Sequence, residues 1–280
     1  MFQSPTRAQV EGLSAQGQFL AMVSSKLGGN EWCGELRVFS SPEHKFDTVG
    51  AVKLESSAGT VEMFQASSVA CGGDDGVVRL YNISNESGLL LGHEFRHDDV
   101  VASLACVGSS LVSGSWDKTV QVHDGVVGTT LVAWQGEDLI TVVRAVSDNL
   151  VAVGEMGGSV SFWDLRTAQR ISRHKPANTR VCSLANGGRG GSLLVGGGDG
   201  GIRELVVGSG ESEVVRRHRA AVHSLAVWGD RLLSGSDDGA VKLDDTNSNA
   251  VEFKDFCRGV AFWNQRPVAS SWDGTVRLAD

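Results

Sequence analysis

Short apolar runs alternate with clusters of glycine, serine, asparagine and aspartate along the whole chain. Val101-Ala102-Ser103-Leu104-Ala105 and Ser110-Leu111-Val112-Ser113 have the length and composition of strands. Thr119-Val120-Gln121-Val122 alternates polar and apolar residues, as does a strand that buries one face. A tight polar turn at Asp117 separates the last two. No stretch reads as a long amphipathic helix or as a linker.

The unit around that turn, SGSWDKTVQVHD (Ser113 to Asp124), recurs throughout. It returns as CGGDDGVVRLYN (Cys71 to Asn82), VGEMGGSVSFWD (Val153 to Asp164), VGGGDGGIRELV (Val195 to Val206), SGSDDGAVKLDD (Ser234 to Asp245) and ASSWDGTVRLAD (Ala269 to Asp280). A weaker copy, GGNEWCGELRVF, opens the series at Gly28 to Phe39. The turn position falls at Cys33, Asp75, Asp117, Gly157, Asp199, Asp238 and Asp273, so the spacings are 42, 42, 40, 42, 39 and 35 residues. A period near 40 with four short strands in each unit predicts an all-β, seven-bladed β-propeller, in one domain over 1–280. A single blade cannot bury both of its faces, so the ring must close. The chain stops after a third strand. The expected closure therefore pairs residues near Ser4 to Arg7 beside Val276-Arg277-Leu278.

Composition narrows the function classes. Thirty-six glycines alongside 41% hydrophobic residues fit many tight turns and not disorder. A net charge of −8 argues against nucleic acid as the main partner and for basic ones. Five scattered cysteines without CxxC spacing suit reduced thiols of the cytoplasm or nucleus. The opening MFQSPTRAQVEG lacks the apolar core of a secretory signal, and no apolar run reaches bilayer length.

The repeat resembles the WD-repeat family. His97 stands four residues before Val101 and His218 four before Val222. The resemblance implies that these histidines hydrogen-bond the turn aspartates Asp117 and Asp238 to brace their blades. Asp75, Asp199 and Asp273 hold the same turn position and are read as structural too, whereas Gly157 breaks the pattern. Only Trp163-Asp164 keeps the name-giving dipeptide at the end of a third strand. Within the family, FLAMVSSKLGGNEWCGELRVF (Phe19 to Phe39), FRHDDVVASLACVGSSLVSGSWDKTVQVHD (Phe95 to Asp124) and DFCRGVAFWNQ (Asp255 to Gln265) resemble the methylosome WD-repeat subunits. That resemblance implies a non-catalytic adaptor without cofactor or metal, in the cytoplasm and nucleus. It would bind a type II protein arginine methyltransferase as a hetero-oligomer and help present histone tails and Sm proteins. The alternative is a generic WD-repeat scaffold, for example a ubiquitin ligase substrate receptor or a chromatin reader.

Partner-binding candidates follow from the tryptophans. Trp32 is placed in the blade-one turn among Gly28, Gly29 and Gly34, where there is little core to join, and aromatic anchors dominate interface energy. The methyltransferase-docking role implied by the resemblance falls on Trp32 and its neighbours Asn30, Glu31 and Cys33. Trp116 and Trp272 occupy the equivalent turns of blades three and seven. For all three, the other reading is a ring folded over its own blade.

Other motifs carry less. His93-Glu94-Phe95-Arg96-His97 fits H-E-x-x-H, but that zinc motif works only on a helix, and here it falls in the connector between blades two and three. Gly187-Gly188-Arg189-Gly190-Gly191 lacks the ending of a phosphate loop. It reads as a mobile turn or as an arginine presented for methylation. Arg173-His174-Lys175 and Arg216-Arg217-His218-Arg219 read as solvated connectors.

Overall fold

Seven four-stranded antiparallel sheets, each centred on one copy of the sequence unit, surround a central channel. The computed structural model describes residues 2–3, 8–28, 31–40, 46–84, 86–187, 191–244 and 249–279; among them there are strands and turns and no helix. The chain is therefore an all-β, seven-bladed β-propeller. Strand β1 (Phe2–Gln3) lies apart from the first blade, which comprises β2 (Gln9–Gln16), β3 (Phe19–Gly28), β4 (Glu31–Ser40) and β5 (Asp47–Leu54). In every blade the first strand lines the channel and the fourth is outermost.

The last blade takes its outer strand from the start of the chain. Phe2 pairs with Val276 and Gln3 with Thr275. The pairing is thus made by residues two to four positions earlier than Ser4 to Arg7, which lie outside the described residues.

Apolar faces are buried between blades and not within them. Val23, Leu36 and Val38 of blade one pack with Val61, Val69 and Tyr81 of blade two. Six comparable clusters follow round the ring, the last joining Val10, Leu20, Met22 and Phe39 to Trp263, Val268 and Val276. Blades approach so closely that glycine is required in the second strand. A Cβ on Gly114 would lie 2.7 Å from Ile140 Cγ2, and one on Gly154 would lie 2.6 Å from Val181 Cγ1. The recurring small-residue stretch before each turn is a packing requirement.

Candidate functional site

The turns between second and third strands of blades two to seven open on one face of the disc. In five of them the aspartate accepts a hydrogen bond from the backbone N–H two residues on. Asp75 Oδ1 takes Val77 N at 3.2 Å, Asp117 takes Thr119 at 2.7 Å, Asp199 takes Gly201 at 3.1 Å, Asp238 takes Ala240 at 2.9 Å and Asp273 takes Thr275 at 3.0 Å. This is the local reason for aspartate there. The next residue is left-handed: glycine at 76, 158, 200, 239 and 274, but Lys118 at φ 71° in blade three. Relieving that strain outweighs the entropy of an added glycine, so Lys118→Gly is expected to raise stability by about 0.5–1 kcal/mol. Urea unfolding of the two chains measures it, and an equal or lower stability refutes it.

Three bracing solutions complete these turns. In blade three His97 Nδ1 lies 3.1 Å from Asp117 Oδ2 and Nε2 lies 2.7 Å from Ser113 Oγ. In blade six His218 lies 3.4 Å from Asp238 and 2.9 Å from Ser234. Asp117 Oδ2 also takes the N–H of Asp98 at 3.0 Å, and Asp238 Oδ2 that of Arg219 at 2.8 Å. The Ser–His–Asp order resembles a hydrolase triad, but Ser113 and Ser234 are fully buried and the network occurs twice. It fastens the incoming loop to the turn. Burial pushes both histidines below their usual pKa against the pull of the aspartates, so they sit neutral.

Blades two and five use arginine instead. Arg79 Nη2 donates to Asp75 at 2.6 Å and Arg203 Nη2 to Asp199 at 2.5 Å; the guanidinium beside Asp199 holds its carboxyl down to about 2. An arginine four residues after the aspartate is the sequence signal, but Asp273 and Arg277 share that spacing and Arg277 lies 5.0 Å over Phe253. Blade four, lacking the aspartate, recruits Glu155. Its buried carboxylate accepts Glu137 N at 3.3 Å and Arg173 Nη2 at 2.7 Å.

Blade one departs most from the pattern. Trp32 and Cys33 were expected in a turn; they lie in β4, where Trp32 pairs with Leu27, Cys33 with Lys26 and Glu31 with Gly28. Without an aspartate to close the turn early, the β3–β4 ladder runs on past the point where other blades reverse. Asn30 lies outside the described residues. Trp32 is 65% exposed, the most exposed of the tryptophans that stand out on the surface. Its Nε1 donates to Ser57 Oγ at 2.8 Å and lies 3.3 Å from Asp74 Oδ2, so the indole leans over blade two. Gly34 permits this, since a Cβ there would meet Ser56 O at 3.0 Å.

Trp116 is 41% exposed in its turn, and Trp272 is half-buried, with Nε1 donating to Glu11 Oε2 at 2.8 Å. With Trp32, both line a channel cavity of about 1240 Å³. A second set of residues, unmarked by the sequence motifs, forms the channel wall. The first strand of every blade carries a register shift that skips one residue: Glu11, Gly59, Ala102, Thr141, Cys182, His223 and Arg258. All seven line the cavity. These seven positions are thus small from blade two to blade five and larger and polar from blade six to blade one, while Glu62, Arg144 and Arg180 line the same cavity from blades two, four and five. Glu11 is raised by burial, against the Trp272 N–H and Arg258.

Other expectations need correction. His93-Glu94-Phe95-Arg96 lies on the outer strand of blade two, Gly88–Arg96, and not in a connector. Its histidines diverge: His93 Nε2 faces Val126 O at 3.2 Å while His97 faces Asp117 and Ser113. Arg173 and Arg216 stand on outer strands, Gln169–His174 and Ser212–Arg217, and not in connectors, though Arg173 is exposed as read. The first bridges Glu137 and Glu155, and the second reaches Leu232 O and Ser234 Oγ at 3.3 Å each. Lys175 and Arg219 are exposed, as read. Arg189 lies outside the described residues. All five cysteines are free thiols.

Residues 89–124 match the model of the WD domain, G-beta repeat. This segment runs from the outer strand of blade two through the third strand of blade three. The sequence repeat is thus offset by one strand from the structural blade. The chain is 29% identical over 129 residues to a WD repeat-containing protein 55 homolog of Drosophila ananassae, covering 45% of this chain and 27% of the relative. It is 29% identical over 163 residues to an F-box/WD-40 repeat-containing protein of Arabidopsis thaliana, covering 54% and 30%. It is 33% identical over 99 residues to a sterol regulatory element-binding protein cleavage-activating protein of Xenopus laevis, covering 35% and 7%. The matched region spans less than a third of each of these relatives. The matched repeat, these relatives and the seven closed blades together support the WD40-repeat family for this chain.

Proposed function

We propose that this propeller is a non-catalytic adaptor that holds a type II protein arginine methyltransferase through blade one and helps present histone tails and Sm proteins to it. WD-repeat propellers generally mediate protein–protein contacts, which is the coarser part of the reading. The finer part is carried by one observation: the overlong β3–β4 ladder raises Trp32, 65% exposed, on the turn-bearing face. The resemblance of Phe19 to Phe39 to the first blade of methylosome protein 50 supplies the partner. On this reading methyl donor and catalytic groups belong to the methyltransferase, and the complex works in cytoplasm and nucleus.

Trp32→Ala is the test. Part of the indole already rests on Ser57 and Asp74, so the expected loss is about 2 kcal/mol, roughly 30-fold in affinity for the purified methyltransferase. The melting temperature should hold. Unchanged affinity, or a wild-type chain that does not bind, overturns the reading. The second reading is a generic WD-repeat scaffold in another assembly, a ubiquitin ligase substrate receptor or a chromatin reader, and the F-box/WD-40 repeat-containing relative of Arabidopsis favours the former. Co-purification from native extract separates the two.

A further inference from the structure

Trp32 is exposed but not free. An indole that stands 65% exposed has no core to fix its side-chain torsions, and ordering such a ring on docking lowers affinity. Here the neighbouring blade fixes it. Trp32 Nε1 donates to Ser57 Oγ at 2.8 Å and lies 3.3 Å from Asp74 Oδ2, and the Ser57 hydroxyl in turn donates to Asp74 Oδ2. The direction of this relay is set by chemistry. An indole N–H can only donate and a carboxylate can only accept, so the hydroxyl accepts from Trp32 and gives its own proton to Asp74. The base of the relay is rigid. Ser57 is buried, and its carbonyl accepts the Asp74 N–H at 2.9 Å. Gly34, two residues along the strand from Trp32, brings the backbone against the same segment, since an added Cβ would lie 3.0 Å from Ser56 O and 3.4 Å from Ala58 N.

The other tryptophans next to these turns give the comparison. Trp116 and Trp272 stand immediately before a turn aspartate, as Asp74 does in blade two. Trp272 is held by Glu11, but its ring is half-buried with the Arg258 guanidinium 4.5 Å over it. Trp116 is exposed, and its Nε1 has no hydrogen-bond partner among the described residues. Of the three, Trp32 is the most exposed and is nevertheless held.

We propose that Ser57 and Asp74 are positioning residues, which hold the Trp32 indole in its docking orientation before the methyltransferase arrives. The proposal rests on the adaptor reading. It adds that two residues of blade two set an affinity exerted through blade one, and that Ser57 does so while buried out of the partner's reach. It also defines the partner's site. The only polar atom of the indole is satisfied within the propeller, so the exposed part of the ring calls for an apolar cleft and not for a hydrogen-bond acceptor.

The indole N–H resonances of the full chain test the clamp without the partner. That of Trp32, identified by its loss in Trp32→Ala, should exchange with water about three- to tenfold more slowly than that of Trp116. Ser57→Ala/Asp74→Ala removes both acceptors and should abolish the difference, whereas Asp74→Asn keeps an acceptor and should preserve it. Binding to the purified methyltransferase is then measured at a temperature where every variant is folded. The double substitution should weaken it about three- to tenfold, and Asp74→Asn should bind as wild type. In a Trp32→Ala background the double substitution should have no further effect. Equal exchange at Trp32 and Trp116 overturns the proposal, as does wild-type affinity in the double variant. A further loss in the Trp32→Ala background, or a loss with Asp74→Asn equal to that of the double variant, assigns the effect to direct contact of Asp74 with the partner and overturns it too. If the wild-type chain does not bind the methyltransferase, the adaptor reading fails and the docking role with it. Slow exchange at Trp32 would still report the clamp, so the two failures are distinguishable.

Discussion

Trp263→Ala is expected to remove about 3–5 kcal/mol of folding stability, the usual range for emptying a large buried aromatic site. Trp263 ends the channel strand of blade seven and is 1% exposed. Its ring packs with Val10, Leu20, Met22 and Phe39 of blade one and lies 5.5 Å from Phe46. Its Nε1 donates to Gln18 O at 3.0 Å, across 245 residues of chain. Truncation leaves both a cavity and an unpaired carbonyl at the joint between last and first blades. The outer closure is far smaller, since β1 contributes two paired residues. Removing residues 1–3 is therefore expected to cost about 1–2 kcal/mol. Urea unfolding of the two variants compares the closures. A loss below about 1 kcal/mol for Trp263→Ala refutes the idea that this joint holds the ring.

Acid should weaken the propeller as pH falls below the ordinary histidine range. His123 is fully buried, stacked 4.0 Å from Phe95, with Nε2 at 2.8 Å from Ser113 Oγ and Nδ1 at 3.1 Å from Thr130 Oγ1. Burial, with a smaller contribution from His97, pushes it down to about 3 from 6.5. The folded pKa is depressed and the favoured form is neutral. Above pH 6.5 neither state holds the extra proton and nothing is lost. As pH falls below 6.5 the unfolded chain binds a proton that the folded chain refuses. Stability then drops by about 1.4 kcal/mol per pH unit until the folded pKa is reached. His123 alone should contribute about 2 kcal/mol of loss at pH 5 and about 3 kcal/mol at pH 4. His97, His218 and His223, also depressed by burial, act in the same direction. Urea midpoints at pH 7 and pH 5 read the effect, and His123→Gln should flatten the dependence. A wild-type midpoint that does not move over that interval overturns the assignment.

The legible part of the site was local in sequence. Trp32 was singled out as a tryptophan in a glycine-flanked turn with little core to join, and it is the missing aspartate of that turn that lets the ladder run on. What was misread was the consequence: the residue stands on a strand that leans towards blade two, because Ser57 and Asp74 take its N–H. Glu155 gave no signal at all, since a carboxylate in a second strand has meaning only beside Arg173 and Glu137. The H-E-x-x-H string misled in the opposite way, carrying a motif without the helix that gives it chemistry.

By itself the sequence determined the period, the number of blades, the strand order within each and the aspartate turns. All of these follow from alternation and from hydrogen bonds two to four residues apart. The tertiary structure alone decided which side chains face the channel. It set the glycine close packing of blade on blade, the meeting of Arg180, His223 and Arg258 on one wall, and the seating of Trp263 on blade one. Those contacts join residues in neighbouring blades, from 26 positions apart for Gly114 and Ile140 to 245 for Trp263 and Gln18, and which side chains meet in the channel depends on one-residue register shifts and on ring closure. Neither is encoded in any short window of the chain, because a skipped residue reverses which face its neighbours present.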